Sequence, residues 1–435
     1  MIKTLLSRDF RHTALNQLWR LFSGPALLIL IPLYLTAQAQ GYWYTFISLA
    51  ALAIFADMGF STLLLQFSAH EFAHLHFTDD QKLSGDPKHL DRIAALWKFG
   101  LKWSVAMGLL SFPIILFVGL TLLGQQESTV SWKIPWALYT IASVFVFINS
   151  ILLSFIEGCN SVGEIQKIRF AISFILVVST MLLLVSGAQL YALAYSLLIS
   201  ALSGTLILLY RYRPLLRQLY ALGQISTHAW GKEIFPLLWR YAISWVSGYF
   251  IFQIFTPVAF HYYGAQEAGR IGLSIALFSA IFGIANIWMT IIIPKINILV
   301  AHKNYRLLDQ IFKKHLLSAL ITYILGIITL FAIVTLWKEN LPFAERIVTP
   351  ISLMIIASAW LLQIIVNGYA LYMRAFKREP LVLPSFLSGL YIALTTWLSA
   401  LYLPVDYLFL GFLSSYVWGM PWVIMIFKKQ KRALR

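Results

Sequence analysis

Long apolar runs constrain this chain more than any motif in it. A helix needs about 20 mostly apolar residues to cross the ~30 Å hydrocarbon core of a bilayer. Twelve such runs can be counted, near 12–35, 42–68, 95–123, 132–156, 168–187, 189–210, 235–262, 268–293, 315–337, 348–373, 380–401 and 405–427. Charge agrees with them: 11% of residues are charged, where a soluble domain carries about a quarter. The expected fold class is an all-α polytopic membrane protein with about twelve transmembrane helices. The single cysteine, Cys159, permits no intramolecular disulfide and carries no compartment signal. The stretch before the first run has no compact apolar core with a small-residue cleavage site, so it is read as a basic lead-in to a retained span.

The connections alternate in character. The odd-numbered ones are short and hold just Lys133, Arg270, Lys338 and Arg346, while the even-numbered ones and the two tails hold 25 of the 33 basic residues. Positive charge stays on the cytoplasmic side. Both termini are therefore expected in the cytoplasm, consistent with an even number of spans. The net charge of +16 is thus an orientation signal, with membrane lipids as partners through their anionic headgroups. Nucleic acid is not expected as a partner.

A weak internal repeat divides the chain. Leu18-Trp19-Arg20 opens the first span and Leu238-Trp239-Arg240 the seventh. The loop AQAQG (37–41) resembles AQEAG (265–269), and after them come Asp57 in FADMG and Asn286 in IANIW. The order of these matches favours two related six-helix bundles, repeated about an axis along the membrane normal. The expected organisation is an N-terminal bundle over 1–210, a cytoplasmic linker over 211–232 and a C-terminal bundle over 233–435 with a short basic tail.

Residues 70–74 read His70-Glu71-Phe72-Ala73-His74, the H-E-x-x-H spacing of zinc proteases. The two histidines share a helix face, being four apart. A zinc site also needs a third ligand and an open water position. Asp86, His89 and Asp91 form no third-ligand motif, and no Asn-Pro-Asp-Gly-like segment follows in a later span. On a continuous helix the pair lies roughly 40 Å from the start of the second span, at the cytoplasmic headgroups. A metalloprotease is therefore disfavoured, no metal is assigned, and the motif is read as a polar helix end.

Ionisable groups inside a span are costly and tend to face a cavity or one another. Asp57 lies about 24 Å along the helix from Gly41 and Arg20 about 31 Å from the same loop, a difference of roughly 7 Å that an arginine side chain could largely bridge if the faces meet. They either line a substrate cavity or neutralise each other to fix helix packing. Arg240 repeats Arg20, but Asn286 stands where Asp57 would, so Arg240 has no obvious acid and is a candidate for an external anion. Arg20, Asp57, Arg240 and Asn286 are the candidate substrate-binding residues. Pro25 and Pro32 in the first span and Pro257 in the seventh are candidate hinges, since proline removes a helix hydrogen bond and permits a kink. Glu157, Lys167 and Arg169 are expected to pair at a surface turn. The aromatic stretches, GYWYTF (41–46) among them, are expected mostly in interface belts. There is no Walker A loop, nucleophile elbow or acidic metal cluster, and no outer loop long enough to carry an enzyme site. The chain is expected not to be an enzyme.

The basic lead-in with NQLWRLFSGP, the unit AQAQGYWYTFISLAALAIFADMGFSTLLLQF and the unit AQEAGRIGLSIALFSAIFGIANIW resemble the multidrug/oligosaccharidyl-lipid/polysaccharide (MOP) exporter superfamily. More narrowly, they resemble bacterial O-antigen and capsule polysaccharide flippases, in which a Gly-aromatic start and an A-D-x-G element mark the second helix. Gly41-Tyr42 and Ala56-Asp57-Met58-Gly59 fit those places. The resemblance implies a transporter of the bacterial cytoplasmic membrane. Its expected partners are a polyprenyl-pyrophosphate-linked oligosaccharide, flipped to the outer leaflet by alternating access around a cationic cavity, and other polysaccharide-assembly proteins. No cofactor is implied beyond a coupling ion, H+ or Na+. The alternative within the same fold is an ion-coupled drug or cation antiporter, whose cavity should carry acids. A lipid II flippase of this superfamily typically has two further spans.

Overall fold

The computed structural model describes residues 8–126, 128–226, 228–336, 344–376 and 379–432. In lipid every backbone amide must be bonded internally, and helices meet that need within one segment. The chain opens with α1 (Arg8–Tyr34), α2 (Ala37–Ala50), a 3-10 turn (Ala51–Ala53), the single turn α3 (Ile54–Asp57) and α4 (Phe60–Phe72). A short antiparallel hairpin follows, β1 (Leu75–Phe77) with β2 (Leu83–Gly85), in which Leu75 lies opposite Gly85. Helices α5 (Pro87–Leu123), α6 (Lys133–Gly158), α7 (Val162–Val185), α8 (Leu190–Arg211), α9 (Arg213–Ile225) and α10 (Gly231–Phe252) come next. The rest comprises α11 (Phe255–Thr290), α12 (Ile293–Ala301), α13 (Tyr305–Leu336), α14 (Pro350–Arg374), α15 (Val382–Tyr402) and α16 (Leu410–Arg432).

Ten stretches among the described residues are long and apolar enough to cross a bilayer. One of them, Gly231–Val300, runs for 70 residues, or about 105 Å at 1.5 Å per residue, far more than one crossing needs. It is interrupted at Gly264, whose φ of 86° and ψ of 176° are non-helical, and divides there into two. Helix α1 ends in the shorter apolar segment Phe22–Tyr34. Ten such stretches among the described residues, against the twelve runs expected, make this an all-α, multi-pass membrane protein.

The described residues group into two compact units, Met1–Leu27 with Leu49–Val246, and Leu28–Ser48 with Ser247–Arg435. The division differs from the one expected at 211–232. Residues 28–48 belong with the C-terminal part because small residues there let helices touch backbone to backbone, as described below. The expected linker is itself structured: Pro214 sits in the first turn of α9, where its missing N–H is harmless, and the helix packs on α5.

In the first unit α6 packs against α8, α4 and α5, and α7 against α8. Hydrogen bonds between helices hold this core: buried Asn149 donates to the Ala201 carbonyl at 2.8 Å and accepts from the Thr205 hydroxyl at 2.9 Å, and Thr180 donates to Ser196 at 2.8 Å. Trp136, fully buried beside Gly119, donates to the Leu116 carbonyl at 3.1 Å. Arg169 pairs with Glu157 at 2.9 Å, as the sequence suggests. In the second unit α11 packs against α13 and α14, and α16 against α14 and α15, around rings such as Phe255 and Phe409, whose centroids are 4.7 Å apart.

Candidate functional site

The repeat seen in the sequence has a physical counterpart inside the second unit. A Cβ on Gly41 would run into the Ala265 carbonyl, and one on Gly269 would lie 3.1 Å from the Ala37 carbonyl and 2.9 Å from the Gly41 nitrogen. The contact is reciprocal: in each copy the glycine faces the first alanine of the other, a small-xxx-small crossing in which only small residues let two helix backbones approach. Gln40 donates across it to the Gly269 carbonyl at 2.9 Å and to the Arg346 carbonyl at 3.3 Å. Arg346 in turn donates to the Leu35 carbonyl at 3.2 Å, and burial holds its guanidinium below its ordinary pKa. The GYWYTF aromatics do not form an interface belt. Tyr42, Trp43, Tyr44 and Phe46 are buried, and Tyr42 meets Phe260 edge to face at 5.0 Å. Hydropathy does not separate a lipid-facing ring from one that faces another helix.

Asp57 lies where the second span breaks. Met58 and Gly59 both take left-handed backbone, with φ of 48° and 79°, so the span is two helices and not one. The Asp57 carboxylate accepts from the Gly59 N–H at 3.2 Å, the Ser61 N–H at 3.1 Å and the Ser61 hydroxyl at 2.9 Å. The two N–H groups, at the cap and in the first turn of α4, are backbone donors that no carbonyl of their own helix can satisfy. The A-D-x-G element is therefore a helix break and the cap that closes it. A side chain on Gly59 would meet Trp245 and Tyr241 of α10, each 3.0 Å from the Cβ position.

Arg240 sits on the same helix α10 and is exposed, its Cζ 5.5 Å from the Trp239 ring centre. Among the described residues no acid pairs with it. Arg20 falls in α1, but its side chain lies outside the described residues; the adjacent Trp19 donates to Ser173 of α7 at 3.2 Å. Asn286, in the second unit, accepts from Asn367 of α14 at 2.7 Å within unbroken helix. Helix α1 continues through Pro25 and Pro32. Pro257 lies in the first turn of α11, just past the break at Gln253–Ile254, and so costs that helix no hydrogen bond.

The H-E-x-x-H residues diverge. The His70 side chain is 78% exposed and Glu71 is 2% exposed. Glu71 accepts from Arg92 Nε at 2.9 Å and binds His89 Nδ1 at 2.7 Å, while the His74 ring stacks on His89 at 3.9 Å. Arg92 also reaches Glu233 at 3.1 Å, and Glu233 meets His228 at 2.9 Å. The Arg92 guanidinium lies 4.6 Å over Trp230, whose Nε1 donates to the Arg92 carbonyl at 2.9 Å. Among the described residues no three His, Cys, Asp or Glu side chains are placed to hold a metal. The motif supplies the buried carboxylate of an ion network that ties α4, α5 and α10. Its other members are far apart in the chain, and each alone looks like an ordinary charge at a helix end.

No family model and no curated protein matches this chain. Solved structures do. An inward-facing MATE-family multidrug resistance transporter of the MOP superfamily aligns over 96% of both chains, with a TM-score of 0.57 at 14% identity. Lipid II flippase MurJ in an inward closed conformation aligns over 97% of this chain and 87% of its own, with a TM-score of 0.58 at 12% identity. A MOP superfamily transporter from Pyrococcus furiosus, reported with reversed binding-pocket polarity, aligns over 98% and 96% with a TM-score of 0.51 at 13% identity. The chain has the fold of MOP superfamily transporters.

Proposed function

We propose that this protein is a transporter that flips a polyprenyl-pyrophosphate-linked oligosaccharide from the cytoplasmic to the outer leaflet of a bacterial cytoplasmic membrane. The observation that carries the proposal is Arg240, exposed on α10 and without an acid partner among the described residues. A pyrophosphate–sugar headgroup cannot cross hydrocarbon unaided, because its charges would lose their water. A guanidinium offers phosphate a planar, bidentate fork. Arg240, with its repeat counterpart Arg20, would receive the headgroup while the polyprenyl chain stays in lipid.

A drug or cation antiporter is the second reading, favoured by the likeness to the MATE transporter, which is as strong as that to the flippase. Cation binding calls for available carboxylates. Asp57 stands in the middle of a span, but its oxygens already hold the α4 cap, which favours the anionic cargo. Alternating access with a coupling H+ or Na+, cytoplasmic termini and contacts with other polysaccharide-assembly proteins belong to the same proposal.

The test is flipping in liposomes, read as exposure of the sugar of a short polyprenyl-pyrophosphate oligosaccharide on the opposite leaflet. Protein-dependent flipping is expected, reduced at least tenfold by Arg240→Ala at equal reconstituted protein. Normal flipping by Arg240→Ala would remove the anion site. No flipping with several glycan lipids, together with drug-dependent proton release, would establish the antiporter.

A further inference from the structure

The corner between α8 and α9 carries a feature that the transport site does not use. Near the end of α8, Leu206, Leu209 and Tyr210 are 67%, 48% and 87% exposed. Spaced three and four apart, they share one helix face. The chain then turns at buried Tyr212 into α9. Leu215, Leu219 and Gly223 form the buried face of that helix, and Gly223 is seated so close to α5 that a Cβ would lie 3.0 Å from the Ala94 carbonyl. Away from that face, Arg213, Arg217 and Tyr220 are exposed. Between the two helices runs a groove of about 510 Å³, with leucines for its walls and the two arginines at its edge.

Two charges of the same sign four residues apart on a helix repel each other. Neither Arg213 nor Arg217 has an acid partner among the described residues, whereas Arg211 beside them pairs with Glu164 at 3.3 Å. The groove is continuous with the exposed apolar face of a membrane-crossing helix, so hydrocarbon has direct access to it. Its basic end belongs, by the positive-inside rule, to the leaflet richer in anionic lipid. Tyr210 and Tyr220, apolar rings with polar tips, suit the boundary between hydrocarbon and headgroups.

We infer that this corner is a binding site for an anionic phospholipid of the surrounding membrane. One acyl chain lies along Leu206, Leu209 and Leu216, and the phosphate is held between Arg213 and Arg217. The site lies wholly within one unit and is independent of which cargo is transported. Its occupant would fix α9, which rests on α5 a few residues from Arg92.

The experiment is native mass spectrometry of the full-length protein, delipidated and then given equal amounts of phosphatidylglycerol and phosphatidylcholine with identical acyl chains. Wild type is expected to retain phosphatidylglycerol in preference. The double variant Arg213→Gln/Arg217→Gln should bind it about thirty-fold more weakly, at roughly tenfold or less per arginine, with an unchanged thermal midpoint because both residues are exposed. Leu206→Trp, which fills the groove, should weaken both lipids and keep the preference. Inorganic phosphate should not displace the lipid. Equal retention of the two lipids by wild type, an undiminished preference in the double variant, or displacement by phosphate alone would overturn the site.

Discussion

Ala37–Gly41 and Ala265–Gly269 meet in one contact and use the same residues to make it, glycine against alanine in each direction. Farther along each copy the likeness ends. The first helix breaks after Asp57, which caps the new helix through three hydrogen bonds. The second continues past Asn286, which pairs with another amide, Asn367. At the crossing, backbone packing tolerates only small residues, so both copies are held to one solution. Deeper in the span the same geometry admits either a charged cap at a break or a neutral pair in a continuous helix. The first copy then leads into the ion network of Glu71, Arg92 and Glu233.

The largest expected effect comes from removing the centre of that network. Arg92→Ala leaves Glu71, 2% exposed, without its guanidinium. Breaking a buried pair in this way costs about 3–5 kcal/mol. Chemical unfolding in a fixed detergent should show that loss, with Arg92→Lys falling between. A change under about 1 kcal/mol would mean that the network is ornamental and that the halves do not differ in how charge supports them.

The crossing itself should respond symmetrically. Gly41→Leu and Gly269→Leu each drive a side chain into the backbone of the other copy, and overpacking of this kind costs about 1–3 kcal/mol or more. The two should destabilise to a similar extent, and the double variant by less than the sum, since neighbours sharing one contact are not additive. Gly283, with open space around its Cβ position, is the control; Gly283→Leu should leave the unfolding midpoint unchanged within error. Unequal effects at Gly41 and Gly269 would break the symmetry inferred from the repeat.

How far these features were legible follows from the same physics. Lipid imposes a length and an apolar character on every span, so the segments and the odd–even distribution of Lys and Arg stand out in the sequence. The short matches around Gly41 and Gly269 stand out because close helix crossings demand small residues, and the structure packs these two segments against each other. The break at Met58-Gly59 carries no such signal. An A-D-x-G element inside an apolar run reads as helix, and only the left-handed backbone of both residues shows otherwise. Asp57 therefore looked like a charge in need of a partner, when its partners are the amides of the next turn. The network around Arg92 joins positions 71, 89, 92, 228 and 233, and no spacing rule connects them.

The finest distinction concerns Asp57 and Asn286 themselves. Removing a capping carboxylate costs about 0.5–2 kcal/mol, and asparagine caps nearly as well as aspartate. Asp57→Ala should therefore destabilise by about 1 kcal/mol and Asp57→Asn by a few tenths. Asn286→Ala removes one hydrogen bond and strands the Asn367 amide, for about 1 kcal/mol. Stability alone would thus rank Asp57→Ala and Asn286→Ala together, and transport separates them. If Asp57 is a cap and nothing more, Asp57→Asn flips lipid-linked oligosaccharide at the wild-type rate and with the wild-type dependence on an imposed proton gradient. If Asp57→Asn folds normally and yet loses the gradient dependence, its carboxylate exchanges a proton during transport. The break in the second span would then be the coupling element that the second copy, with its neutral amide pair, lacks.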